Sequence, residues 1–454
     1  MALRQVRLLA ARAAALPASL RQRPSRSPLS APSRAQTQTA ASNSSWAILA
    51  SIPQVAAADG ADVSLALTPP PRVSILTVSP RVFPEPVTPQ HFPFVLAADP
   101  SGLLLLQATL GRPWTREATL GPDGYFKSVT WHNSLPRYFV LDPAADSASA
   151  FQLPDPDDAI MHQALLGLIA SPPATCKPVH YPLPPRHLAP INVLSLHGRL
   201  WWVDLEWGVI TSDPFADHPV LRFVPFPPDR VLGCREAWGV ADIYRCVGVS
   251  AGKLRFVDTM YMGPIIGGTP DITVWTLPGP DATEWTLEHQ VSFGDIWADD
   301  TYKATGLPVD IPALALIHPD DPDIVYFFLE EHIFAVDVPA RKVVDCKVYH
   351  LVAPPRCKVA SRFVRAWKLP HPLPSGMLDW SNDPILTERD KAPHGIYPLE
   401  GHSMLCRETF KMMLGYWNGI DRLVYQLLGW NTDAQSSLTV VNCGASVDHL
   451  KLLQ

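Results

Sequence analysis

RLWWVDLEWGVITSDPF, residues 199–215, places three of the chain's fourteen tryptophans within seven positions, with Asp204 and Glu206 between them. On an extended strand Leu200 and Trp202 point to one face, and Trp201 and Val203 to the other. Both faces are then apolar, as a strand packed between neighbouring sheets requires. A platform for stacking sugars or peptides would instead set an aromatic face against a polar one. The stretch therefore reads as a buried hairpin in which Trp201 and Trp202 are packing and Asp204 serves the turn. Trp207 and Glu206, beyond the strand, are left as the candidate ligand or partner surface.

The same local form recurs along the chain: an apolar run, an aspartate, a short polar turn and a second apolar run. It appears in FPFVLAADPSGLLLLQAT (92–109), RYFVLDPAADSASAFQLP (137–154), KLRFVDTMYMGPII (253–266) and HIFAVDVPARKVVDCKVY (332–349). The recurring residues are Asp99, Asp142, Asp204, Asp258 and Asp337, each expected to accept amide hydrogen bonds from its own turn. Their spacing is irregular but accommodates a unit of roughly 40–50 residues, the range of propeller blades. The widest gap, from 258 to 337, contains a hairpin pair of its own, ITVWTL (272–277) and EWTLEHQVSF (284–293). Sheets with two apolar faces cannot stand alone, and radial stacking buries both. The expected fold is all-β: a β-propeller-like repeat of antiparallel sheets, about six blades over residues 45–375. A β-sandwich or barrel is the competing architecture.

Composition agrees. Hydrophobic residues make up 47% of the 454, ample for a core, and 49 prolines argue against long helices. Residues 1–44 hold seven arginines, no lysine and no acid, which leaves the rest with 30 basic against 43 acidic residues. A body so acidic is unsuited to nucleic acid, whose phosphates require clustered Lys and Arg. The Arg-, Ser- and Ala-rich start, with arginines at 4 and 7 in a potentially helical stretch, has the composition of a transit peptide. The mitochondrion is the expected destination, with the chloroplast, or nucleus and cytoplasm if the leader is only a basic tail, as alternatives. No apolar run is long enough for a transmembrane segment. Residues 376–454 are expected to form a linker and a short helical tail, from the periodicity of SMLCRETFKMMLGYWNGIDRLVYQLLGW (403–430).

Candidate chemistry is sparse. GVSAG (248–252) satisfies the hydrolase pattern around Ser250, but a nucleophile elbow needs a strand before it and a helix after it. Here DIYRCVGV and KLRFVDTMYM both read as strands, so Ser250 belongs to a hairpin turn. The acidic groups Asp155/Asp157/Asp158, Asp299/Asp300 and Asp320/Asp321/Asp323 lack the spacing of a calcium loop and read as solvated turns, His318 beside the last included. Seven scattered cysteines without a C-x-x-C pair suggest free thiols in a reducing compartment rather than a zinc site. No catalytic residue, cofactor or metal ligand is expected.

SSWAILASIP (44–53), the 199–215 hairpin, RCVGVSAGKLRFVD (245–258) and the long run 295–349 together resemble the plant family known as domain of unknown function 1618 (DUF1618), expanded in grasses. The resemblance spans roughly residues 44–375 and implies a β-rich domain without an established activity or catalytic residues. The tail after about residue 380 is unlike the family's usual ending. Some members resemble F-box-associated proteins, but no F-box helix set precedes residue 45 here, which disfavours a ubiquitin-ligase adaptor. The leading expectation is a non-enzymatic protein-interaction module imported into an organelle, with a protein partner. The alternative is a propeller-type hydrolase with its active site in the channel.

Overall fold

The structure, a computed structural model, describes residues 5–10, 45–56, 61–87, 92–110, 117–120, 126–130, 135–142, 150–153, 166–169, 178–179, 190–232, 241–260, 269–352, 359–369 and 437–442. Four sheets in it are four-stranded antiparallel meanders. From the centre outward the first runs Phe94–Ala98, Leu104–Leu110, Leu135–Leu141, Ala150–Gln152. The second runs Asn192–Leu196, Arg199–Asp204, Gly208–Ser212, Arg222–Pro225. The third runs Arg245–Ser250, Lys253–Asp258, Asp271–Leu277, Thr286–Ser292. The fourth runs Ala313–Ile317, Ile324–Leu329, His332–Asp337, Lys342–Val348. A fifth, mixed sheet joins distant parts of the chain: Val364–Lys368 pairs antiparallel with Trp46–Ala50, which runs parallel to Val73–Val78. Gln54–Val55 and Val63–Ala66 complete it on Val73–Val78.

These sheets are arranged as in a β-propeller. The inner strands of sheets one to five pack in succession, and Val95 N–H donating to Ser51 O (2.8 Å) brings the fifth sheet back to the first. Four antiparallel blades are seen among the described residues, where the sequence leads to about six, and the mixed fifth sheet lies between the fourth and the first. Each interface is apolar. Phe226, Phe256 and Trp285 cluster between sheets two and three, with Trp201 and Val203; Phe327, Phe334 and Phe293 fill the space between three and four. Trp367, Leu49, Leu104 and Leu106 join five to one. Between one and two, residues 166–169 are inserted so closely that a Cβ on Gly167 would lie 2.6 Å from Val193 Cγ1. Only glycine fits there.

The opening hairpin follows its two-faced pattern. Trp201 and Trp202 are fully buried, Trp201 and Val203 face the third sheet, and Leu200 faces the 166–169 segment. Its first turn, His197–Gly198, has two positive φ angles (53° and 72°), as does Ala251–Gly252 (48° and 73°). Both are the two-residue turns that match strand twist. Gln5–Ala10 is a strand, parallel to Ser437–Asn442, which itself pairs with Pro178–Val179. The helices expected over 403–430 lie outside the described residues.

Candidate functional site

Four of the aspartates that suggested the repeat, Asp99, Asp204, Asp258 and Asp337, hold turns, but the five do not share one strand position. Oδ1 of Asp99, Asp204 and Asp258 accepts the amide two residues on, from Ser101 (2.8 Å), Glu206 (3.0 Å) and Met260 (2.8 Å). Asp337 accepts from Ala340 (2.9 Å). Asp99 ends an inner strand, Asp204 and Asp258 end second strands, and Asp142 and Asp337 fall at the ends of third strands. Antiparallel alternation therefore puts Asp204 and Asp258 at one end of the ring and the other three at the opposite end. The repeat resides in the sheets, and the irregular aspartate spacing follows from mixing the two ends.

Asp258 does more than close a turn. It is fully buried, as is Arg245 opposite it across the hairpin. Arg245 Nη2 donates to Asp258 Oδ2 (2.9 Å), and its Nη1 to the carbonyls of Leu205 (2.9 Å) and Arg230 (2.8 Å). Burial pushes the carboxyl up and the guanidinium down, and each charge pulls the other back. Glu206, whose carbonyl accepts Leu232 N–H, adds negative charge near Arg245. Trp207 packs on Phe223 at 4.2 Å. The expected partner surface, Glu206 and Trp207, is thus half-buried and lies beside this ion pair.

A second polar group gathers where the third and fifth sheets meet at the centre. The helical turn Ala241–Tyr244 carries Asp242 into Arg245 and Cys246, while Ser361, Arg362 and Arg365 come from the entry to and body of Val364–Lys368. Ser361 Oγ donates to Asp242 O (3.0 Å), with Arg245 O at 3.3 Å. Arg362 Nε lies 3.2 Å from Asp242 Oδ2. Burial raises the Asp242 carboxyl, and Arg362 works against it. Burial likewise pushes the Cys246 thiol up to about 12, despite its hydrogen bond with Ser361 and the charge of Arg365. A thiol so held is protonated at neutral pH and is not a nucleophile. Nothing in the sequence links these residues, which are separated by more than a hundred positions.

Ser250 is fully buried in a strand whose turn leads directly into another strand, so the elbow geometry is absent. Asp299 is an N-cap, accepting Thr301 N–H (2.8 Å) and Oγ1–H (2.6 Å), and Asp300 pairs with Lys303. Asp320 binds Lys368 (2.7 Å), and Asp323 binds His289 (3.0 Å). No group of three or more His, Cys, Asp or Glu among the described residues is placed to hold a metal; Asp155, Asp157 and Asp158 lie outside them. No helix among the described residues is long and apolar enough to cross a membrane.

His318 has a defined structural task. Its Nδ1 accepts the amides of Asp320 (3.1 Å) and Asp321 (2.8 Å), and its ring meets Trp46 edge-on at 4.7 Å. Burial holds the imidazole below its ordinary 6.5, with Asp321 and Asp320 pulling the other way. A depressed folded-state pKa gives stability that is complete above the unfolded value and is lost as pH falls through the folded one. Wild-type Tm should therefore drop more from pH 7.5 to 5.5 than that of His318→Asn, whose side-chain oxygen can keep the turn without titrating. Equal drops in scanning fluorimetry would remove His318 as a contributor.

Comparison with known proteins supplies one family. Residues 202–326 match the model described as "Protein of unknown function (DUF1618)", so the resemblance holds over that span. No curated protein matches the chain. Among solved structures it is similar to the WD40 domain of SCAP from fission yeast, with 13% identity and a TM-score of 0.21. That likeness covers 70% of this chain and 58% of the other, so the chain spans little more than half of that structure's length.

Proposed function

We propose, for a chain whose residues 202–326 match the DUF1618 family, that it is a non-enzymatic, propeller-like protein-interaction module delivered to the mitochondrion. The observation that carries this reading is where apolar surface remains. Among the described residues, Phe151, Leu287, Val344 and Val348 are exposed on outermost strands of three blades, and Val220 lies just before that of a fourth. Outermost strands also present unpaired backbone groups, which a partner segment can extend by β-addition. The carboxylates Asp99, Asp204, Asp258, Asp299 and Asp337 are meanwhile engaged in turns, caps and a buried pair. The Arg-rich, acid-free leader supports import.

Two measurements test the reading. Residues 1–50 fused to a fluorescent protein should direct it to mitochondria, and a diffuse cytosolic signal would refute import. The full chain, purified from the organelle, should carry a stoichiometric protein partner that is lost in a Val344→Lys/Val348→Lys variant. Purification as a bare chain, or a partner indifferent to the variant, would refute the interaction surface. A channel hydrolase is the second reading, favoured by the ionisable side chains gathered at the centre. The protonated Cys246 and the paired Asp242 weigh against it.

A further inference from the structure

We infer that the centre of the ring binds a small oxyanion, a carboxylate or a phosphate, through the guanidinium of Arg365. The residue lies on the inner strand of the fifth sheet, where it is half-buried. Its Nε donates to Val95 O on the inner strand of the first sheet (2.8 Å), and its Cζ sits 6.0 Å from the Phe94 ring. These contacts fix the plane of the guanidinium across the closure of the ring. Neither Nη has a hydrogen-bond acceptor among the described residues. Asp242, the carboxylate of the same polar group, is engaged by Arg362 (3.2 Å).

A half-buried cation gives up part of its hydration, at a cost that an opposite charge beside it offsets. Burial holds Arg365 down at about 10, yet at neutral pH it still carries its charge. The charge is thus present and oriented, with no ion-pair partner among the described residues. The two Nη groups form the planar fork that matches two oxygens of a carboxylate or phosphate. Their surroundings are largely apolar: Phe94 belongs to one cluster with Ile52, Ile243 and Phe363, and Arg362, which lies over Phe363 at 5.0 Å, is already paired with Asp242. The inference is independent of the outer-strand partner surface, so either can fail without the other.

The test uses the full chain at constant ionic strength, with inorganic phosphate or acetate replacing sodium chloride. Wild-type Tm should rise by about 2–4 °C, saturably, at ten times the half-saturating concentration. Arg365→Gln should abolish the rise, and Arg341→Gln, on the exposed surface, should retain it. Arg365→Lys keeps the charge but not the fork and should weaken binding at least about 5-fold. Line broadening of the phosphate phosphorus resonance reads binding without reference to unfolding, and it decides the matter with Arg365→Lys should Arg365→Gln not fold. Response to phosphate, to acetate or to both supports the site and identifies the headgroup. Responses no larger than chloride's, or undiminished in the Arg365 variants, would overturn it.

Discussion

Replacing Asp258 with alanine is expected to remove about 3–5 kcal/mol of stability, the usual consequence of stripping one partner from a buried ion pair. The carboxylate is fully buried, and its loss leaves Arg245 charged, without its hydrogen-bonded ion-pair partner and equally buried. Against a total stability of about 5–15 kcal/mol, the variant should unfold at far lower denaturant concentration. The double variant Arg245→Met/Asp258→Leu should recover most of the loss, because it removes the stranded charge together with the pair. A double-mutant cycle by chemical denaturation measures both numbers. A cost below about 1 kcal/mol for Asp258→Ala, with no recovery in the double variant, would show that the pair is energetically idle.

Trp367→Ala should be of comparable size, about 3–5 kcal/mol, but its effect should be located. Trp367 is fully buried between the fifth and first sheets, and its Nε1–H donates to Gly102 O at 3.0 Å. The substitution leaves a large cavity and an unsatisfied carbonyl at the place where the ring closes. Amide hydrogen exchange should therefore accelerate most in Trp46–Ala50 and Val364–Lys368, and least in the third sheet. Uniform acceleration across all sheets would mean that the ring opens only by global unfolding.

Much of this architecture can be read from local patterns. The apolar alternation of residues 199–204 is enough to bury both tryptophans, because a strand has two faces and both were hydrophobic. The Arg245–Asp258 pair was also within reach of the sequence. Counting outward equally from the Ala251–Gly252 turn sets Arg245 opposite Asp258. An arginine and an aspartate at the two ends of one hairpin, equally far from its turn, were the available signal. The aspartate spacing is irregular because turns at both ends of the sheets favour the same residue.

Other features depend on contacts that no local pattern encodes. Ser361 reaches Asp242 across 119 positions, and Arg365 reaches Val95 across 270. The partner surface expected at Glu206 and Trp207 is half-buried for a related reason. Leu232 and Phe223, from later in the chain, fold over that turn.

The closing sheet has a consequence for the growing chain. Trp46–Ala50 is synthesised early, yet the strand that pairs with it on the inner side, Val364–Lys368, comes last among the described strands of the five sheets. At about 5–20 residues per second, a ribosome takes on the order of tens of seconds to bridge the interval. Throughout that time an apolar β-edge stands open to any strand that arrives first. The protein's most hazardous moment for aggregation is therefore set by the order of its blades, and a chaperone shielding residues 46–50 during synthesis would act where the hazard lies.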